Sequence, residues 1–474
     1  MELEAKKRVV NEQLLVNIGE GLEAFDILRA EEEPWLLQVF EAPLEFDLIS
    51  GLRSGIIFGE PGSGKSAICA ALKYLAHAST GKSNRLVVEW RPRPPRGHVE
   101  PNTDLVVEQL HEVLDICAFN TLVYIVTVPE KFRSAPDWAQ EILVWFIRTY
   151  SAGMIELRTG SLRSRLQDAG LTLLDDLLGW SVQRVLEVDA APEYIIRELV
   201  GALVEIGIDG VWVLVDDVEI WADAAPDVIT IGLKSFLSTL ALFEQRGFAY
   251  KIFLPTALEQ HLEGVGATTR RRVGTHYLHW TADKLEQLAV RRITWVVGCP
   301  IESFRQICQD KTLSTWLTRC GGNTPAGWLE FLRPLVAAYL ERNRQDNTKP
   351  ITKKEWLEIR RRHPPKLTLN HEQRQVRVGE RVSMALTEQQ YALLAYLYAR
   401  AGQVCSRSEL YYLAYLKLTG EPAPGDKNYA APKDYGGQLE SAIWRLREAL
   451  EPDPKHPFFI ITVRGKGYRL DHAV

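Results

Sequence analysis

Residues 59–66 read Gly-Glu-Pro-Gly-Ser-Gly-Lys-Ser, the full Gly-x-x-x-x-Gly-Lys-Ser spacing of a phosphate loop. Gly59, Gly62 and Gly64 let the backbone curl and approach an anion closely, with Glu60, Pro61, Ser63 and Ala67 completing the loop and the turn after it. Lys65 would place its ammonium between the β- and γ-phosphates, and Ser66 would offer its hydroxyl to Mg²⁺. The flanks fit this chemistry. Residues 54–58 are apolar and β-favouring, and residues 67–77 are helix formers without Gly or Pro. A strand, a glycine loop and a helix start in that order turn backbone N–H groups toward a phosphate. An incidental Lys-Ser in a glycine-rich turn would not carry these flanks. The spacing predicts binding of a nucleoside triphosphate, ATP with Mg²⁺.

A second acidic element should face this loop. Residues 211–215 (VWVLV) form a continuous apolar run closed by Asp216 and Asp217. Such runs belong to parallel sheets buried on both faces, whose ligands sit at the strands' carboxyl ends. Asp216 is therefore expected to hold Mg²⁺ with Ser66, and Asp217 to orient the attacking water. Thr256 follows the strand-like run 250–254 and either senses the γ-phosphate or belongs to a turn. Lys65, Asp217 and Thr256 are the candidate catalytic residues.

The elements that must position these groups alternate. Runs 86–90, 122–126 and 250–254 read as strands, and 138–150, 191–206 and 230–245 as helices. This predicts an α/β fold built on a parallel sheet, with a helical insertion over 160–190. Three arginines, at 270–272, could reach a neighbouring subunit's nucleotide or form a solvated loop. A short strand over 275–280 and a helix from about 281 follow them.

The C-terminal hundred residues change character. After a polar, basic stretch at 342–366 come short β segments at 366–370, 375–378 and 381–385. Helices at 388–400, 407–416 and 438–450 precede a hairpin over 458–470. On the third helix Leu439, Ile443, Leu446 and Leu450 share one face and should pack inward. Ser441 and Arg445 lie opposite, flanked by Gln438 and Trp444, so Arg445 could read guanine in a major groove. Arg447, nearer the core edge, would meet a phosphate or an acidic neighbour. Arg464 and Lys466 occupy the hairpin tip, suited to phosphates or a narrow minor groove.

Two resemblances follow from these motifs. GEPGSGKS, VWVLVDDVE, the strand ending FLPT and the GGNTP helix, in that order, resemble an AAA+-related phosphate-loop ATPase of the STAND type and archaeal origin-recognition ATPases. The resemblance implies a helical lid over the adenine, with Pro325 touching the nucleotide. The chain departs from it twice. Ala326-Gly327 stands where relatives often carry an arginine, and Asp217 is one methylene shorter than the glutamate of fast hydrolases. Slow turnover is the expectation. Residues 366–474, with LTEQQYALLAYL, SRSELYYLAY, IWRLREALE and ITVRGKGYRL, resemble the OmpR/PhoB-type winged helix. That family places its third helix in the major groove and a wing arginine in the minor groove, which fits Arg445 and Arg464. A long loop over 419–436 replaces the one that meets RNA polymerase in family activators.

The expected organisation is a lead-in at 1–50, an ATPase core at 51–280, a lid at 281–345, a basic linker at 346–365 and a winged helix, an α+β module, at 366–474. The 474 residues give ample core, and a net charge of −5 argues against a wholly basic nucleic-acid coat. Six cysteines without metal spacing, a charged N-terminus and no apolar run near the membrane-spanning length suggest a cytoplasmic chain without membrane contact. The reading is a nucleotide-switched DNA-binding transcription regulator. Double-stranded DNA is the expected partner, with RNA polymerase or a signalling protein as further candidates. An oligomeric ATPase acting on DNA in replication, transposition or phage defence is the alternative, and it would require a nucleotide-dependent homo-oligomer.

Overall fold

A computed structural model describes residues 36–473 apart from 78–83, 93–102, 152–154, 181–190, most of 219–239, 263–272, 344–348, 373 and 383–385. The arginines at 270–272 and half of the helix expected over 230–245 lie outside the described residues. The described chain divides into two compact units, residues 36–279 and 280–473.

The first unit is a five-stranded parallel sheet. Its strands are β1 (Gly55–Gly59), β2 (Arg85–Trp90), β3 (Gly210–Val215), β4 (Phe248–Pro255) and β5 (Gly274–Tyr277), in the order β2-β3-β4-β1-β5. Successive residues serve opposite faces. Phe58, Val88, Val213 and Ile252 enter one core, while Ile57, Val87, Trp212, Leu214 and Phe253 enter the other, against Ile68 and Leu72 of α1 (Lys65–His77). The first core is covered by α2 (Thr103–Thr127), α3 (Asp137–Tyr150), α4 (Asp168–Gly179) and α5 (Pro192–Glu205). The expected 160–190 insertion is helical where described, since α4 and a helix at Ile155–Arg163 fall in or beside it.

The strand expected at 122–126 is instead the last turn of α2. Its β-branched residues suggested a strand, but the wider pattern is helical. Val113, Leu114, Cys117, Ala118, Leu122, Ile125 and Val126 are all buried and recur every four residues. By length and composition Val107–Thr127 could cross a membrane. It is a core helix here, packed on β2, α3 and α4.

The second unit begins with α6 (Ala282–Val297), α7 (Leu313–Gly321), α8 (Pro325–Arg342) and α9 (Lys353–Arg362). The helix α9 falls in the stretch expected to be a linker. It buries Trp356 and Arg360 to 1% exposure each, so it packs as part of the unit. Beyond it lie β6 (Leu367–Asn370), β7 (Gln375–Val378) and β8 (Arg381–Val382), then α10 (Glu388–Tyr398) and β9 (Val404–Ser406). The unit closes with α11 (Pro432–Leu450), β10 (Ile460–Val463) and β11 (Gly467–Leu470), and the sheet order β10-β11-β9 makes the hairpin a wing.

Two elements differ from the sequence expectation. The helix at 407–416 starts as Arg407–Glu409 but widens into a π-helix over Leu410–Tyr415. The wider turn lets Tyr411 stack on both Tyr435, at 4.5 Å, and Tyr415, at 5.8 Å. The third helix starts at Pro432 rather than 438, because Pro at its first turn is pre-set for helix. The Tyr412 hydroxyl pins the preceding loop by donating to the Ala430 carbonyl, at 2.7 Å, and accepting from its N–H.

Candidate functional site

The phosphate loop leaves β1 and enters α1 as expected. Gly62 and Gly64 have φ of 76° and 88°, which side-chain-bearing residues adopt only with strain. A Cβ at Gly59 would meet the Ser63 hydroxyl, which would have to turn aside to admit it. The Lys65 ammonium is buried and donates to the carbonyls of Gly59 and Glu60, at 3.1 and 3.2 Å. This holds the cation at the mouth of the loop. Ser66 follows on the first turn of α1.

At the carboxyl ends of the strands β4 lies between β1 and β3. Gly59 pairs in register with Pro255, so Thr256 emerges beside the loop, at the start of a 3₁₀ turn. Asp216, at the end of β3, is buried. It faces Cys69, whose thiol is pushed well above its ordinary pKa by burial and then by the Asp216 carboxylate. Cys69 lies one turn beyond Ser66 on α1, so this contact sets Asp216 on the Ser66 side of that helix. The cradle, the buried lysine and the acid are the donor set a Mg²⁺–triphosphate needs.

Asp217 is placed differently from expectation. Its φ of 60° is left-handed, a strained state for a residue with a side chain. Its carboxylate lies 3.3 Å from the Arg91 guanidinium just past β2. The second acid is thus engaged by a cation that sequence reasoning did not single out; only its position after β2 could have suggested it.

The second unit holds the remaining candidates. Pro325 is buried at the first turn of α8, where the Thr324 hydroxyl caps the helix by accepting from Gly327 N–H at 3.3 Å. A Cβ at Gly327 would lie 2.1 Å from the Gly321 carbonyl oxygen. The close crossing of α7 and α8 therefore explains why no arginine occupies 327.

On α11 Leu439, Ile443, Leu446 and Leu450 are buried. Gln438, Ser441, Trp444 and Arg445 are exposed, and Trp444 is 60% accessible. Among the described residues, no hydrogen bond or ion pair within the chain engages Gln438, Ser441, Arg445 or the neighbouring Lys433. Arg464 and Lys466 project from the β10–β11 turn, both exposed. Arg447 departs from this set. Its Nε donates to the Ile460 carbonyl at 3.0 Å and its Nη2 to the Thr462 hydroxyl at 2.8 Å. These bonds tie α11 to the wing.

No family model matches the chain. A C-terminal region is 33% identical over 96 residues to the sensory transduction protein RegX3 of Mycolicibacterium smegmatis, covering 20% of this chain and 34% of that one. It is also 34% identical over 87 residues to the transcriptional regulatory protein YvrH of Bacillus subtilis, covering 18% and 31%. The C-terminal region matches the DNA-binding part of OmpR/PhoB-type response regulators. The chain spans about a third of the length of these relatives. The structure of the Aeropyrum pernix ORC2 protein in ADPNP–ADP complexes aligns over 94% of this chain and 92% of that one, at 10% identity and a TM-score of 0.34.

The winged helix is fastened to α7–α9 by contacts that the motifs did not reveal. Glu380 N–H donates to the Cys320 carbonyl at 2.9 Å, and Arg319 donates to the Glu451 carbonyl at 3.1 Å. Arg360, 1% exposed, packs beside the edge-to-face pair of Trp316 and Trp356, 5.8 and 5.6 Å from their rings, and lies 3.4 Å from Asp453. The buried Glu451 carboxylate accepts the N–H groups of Phe458 and Ile460, each at 2.7 Å. Burial nonetheless leaves its pKa raised.

Proposed function

We propose that this chain is an ATP-binding, nucleotide-switched DNA-binding protein of the AAA+/STAND kind, acting as a transcription regulator with slow ATPase activity. Lys65, Ser66 and Asp216 would hold the triphosphate and Mg²⁺, with the loop from Gly59 to Ala67 wrapping the phosphates and Pro325 meeting the nucleotide from the lid. The bound Mg²⁺–ATP would supply a γ-phosphate whose presence or loss distinguishes two states. Asp217 and Thr256 would act on the attacking water. The Arg91 pair and the missing lid arginine both favour slow turnover. Gln438, Ser441, Trp444 and Arg445 would face the major groove of double-stranded DNA, and Arg464 and Lys466 its backbone or minor groove. Arg447 would support that surface by holding the wing.

The observation that carries the coupling is the fusion of α7–α9 with the winged helix through Arg360, Arg319 and the Cys320 carbonyl. A lid joined to the reader in this way cannot respond to nucleotide without carrying the reader along. A few kcal/mol of differential affinity between the two arrangements is enough to switch binding. The test is DNA-site selection with full-length protein in ATP, ADP and no nucleotide. Sites recovered in one nucleotide state and lost in another support the proposal; equal recovery in all three refutes the switch.

A further inference from the structure

A groove of about 670 Å³ runs along the first half of α11, walled by Thr387 and Gln389 of α10, Tyr415, and Lys433, Gln438 and Arg445 of α11. Gly436 and Gly437 are consecutive within this helix, and Gly437 lines the groove. Glycine is the least favourable helix residue after proline, so a pair of them inside α11 calls for a reason. Crowding within the chain does not provide one. A Cβ added at either position meets nothing within 4 Å, in contrast to Gly327, which cannot tolerate one. The space above these two glycines is open to a molecule outside the chain.

The groove's chemistry indicates what that is. Lys433 stands one turn before Gly437, and Gln438 directly after it. Glu440 is drawn away by Arg407, at 2.8 Å, while Asp434, which also lines the groove, sits in the first turn of α11, where an acid complements the helix dipole, so that Lys433 and Arg445 leave the lining with a net positive charge. A cation and an amide beside a bare backbone suit an anionic strand that must approach closely. We propose that this groove seats a sugar–phosphate strand of duplex DNA directly on Gly436 and Gly437, held by Lys433 and Gln438, while Arg445 reads bases beyond it. The inference rests on the DNA-binding reading and adds the seat that fixes how deeply α11 enters the duplex.

The test is Gly437→Ala in the full-length protein, with Gly160→Ala as a control at another helical glycine open to solvent. Thermal unfolding and anisotropy with labelled random-sequence duplex at low salt are measured together, because backbone seating does not depend on sequence. The expected result is an unfolding temperature that holds or rises in both variants, with DNA binding weakened roughly tenfold by Gly437→Ala alone. Wild-type DNA affinity in Gly437→Ala overturns the seat while leaving the DNA-binding reading intact. A wild-type protein that binds no duplex overturns both.

Discussion

Replacing Arg360 with alanine should loosen the joint between α7–α9 and the winged helix without unfolding either. The guanidinium is 1% exposed and lies 3.4 Å from Asp453, beside the paired rings of Trp316 and Trp356. Breaking a buried ion pair by removing one partner costs about 3–5 kcal/mol, since the other charge is left uncompensated. Asp453 is partly accessible, at 21%, and also holds His456 at 3.0 Å, so the lower end, about 3 kcal/mol, applies. The guanidinium Nε and Nη1 have no hydrogen-bond acceptor, which keeps the wild-type pair from being worth more. Urea unfolding of Arg360→Ala, Asp453→Asn and the double variant would measure the coupling, expected at about 1–2 kcal/mol. Additivity within about 0.5 kcal/mol would refute the pairing. The same pair sets an acid dependence. Burial alone would raise the Asp453 pKa, but the His456 hydrogen bond and the Arg360 charge outweigh it and hold the group below its ordinary 3.8. That contribution is present above the unfolded pKa and is lost as pH falls through the folded one, and the Arg360→Ala variant should lose part of this slope.

Further outcomes follow from other cations. Lys251, 1% exposed on β4, donates to the carbonyls of Gly51 and Arg53, and burial, aided by the charge of Arg85, lowers its pKa to about 7. The unfolded chain holds this proton up to a higher pH than the folded one, so stability should rise with pH from about 7 to the unfolded lysine value, and Lys251→Met should flatten that slope in thermal unfolding scans. Arg447→Ala removes the ties to the Ile460 carbonyl and the Thr462 hydroxyl; it should cost about 1–3 kcal/mol and speed amide exchange in the wing, whereas Arg445→Ala should weaken DNA binding with stability unchanged.

The motifs made the phosphate-loop edge of the first unit and the helices of the winged helix legible, because both depend on short-range patterns. Phosphate-loop spacing fixes a strand, a turn and a helix within twenty residues, and the inward leucines of α11 recur at helical period. What stayed hidden depends on partners far along the chain. Residues 122–126 carry strand-like side chains, and only the four-residue burial rhythm beginning at Val113 makes them helical. Arg447 could be placed on its helix face, but the wing carbonyl it would meet could not be known. The basic stretch around Arg360 read as a linker because charge density normally signals solvent. Trp356 on the same helix, with Trp316 and Asp453 from other elements, reverses that. Arg91 acquires meaning only beside Asp217, which the parallel order of β2 and β3 brings to the same edge.

The central claim is that nucleotide at the phosphate loop controls the winged helix, and DNA affinity measured with ATP, with ADP and without nucleotide tests it most directly, in wild type and in Lys65→Ala. The account predicts an affinity that differs at least several-fold between nucleotide states in the wild type, and a Lys65→Ala protein that binds no ATP and stays at the nucleotide-free value. Equal affinity across all three states, or a Lys65→Ala variant that still responds to ATP, would contradict it.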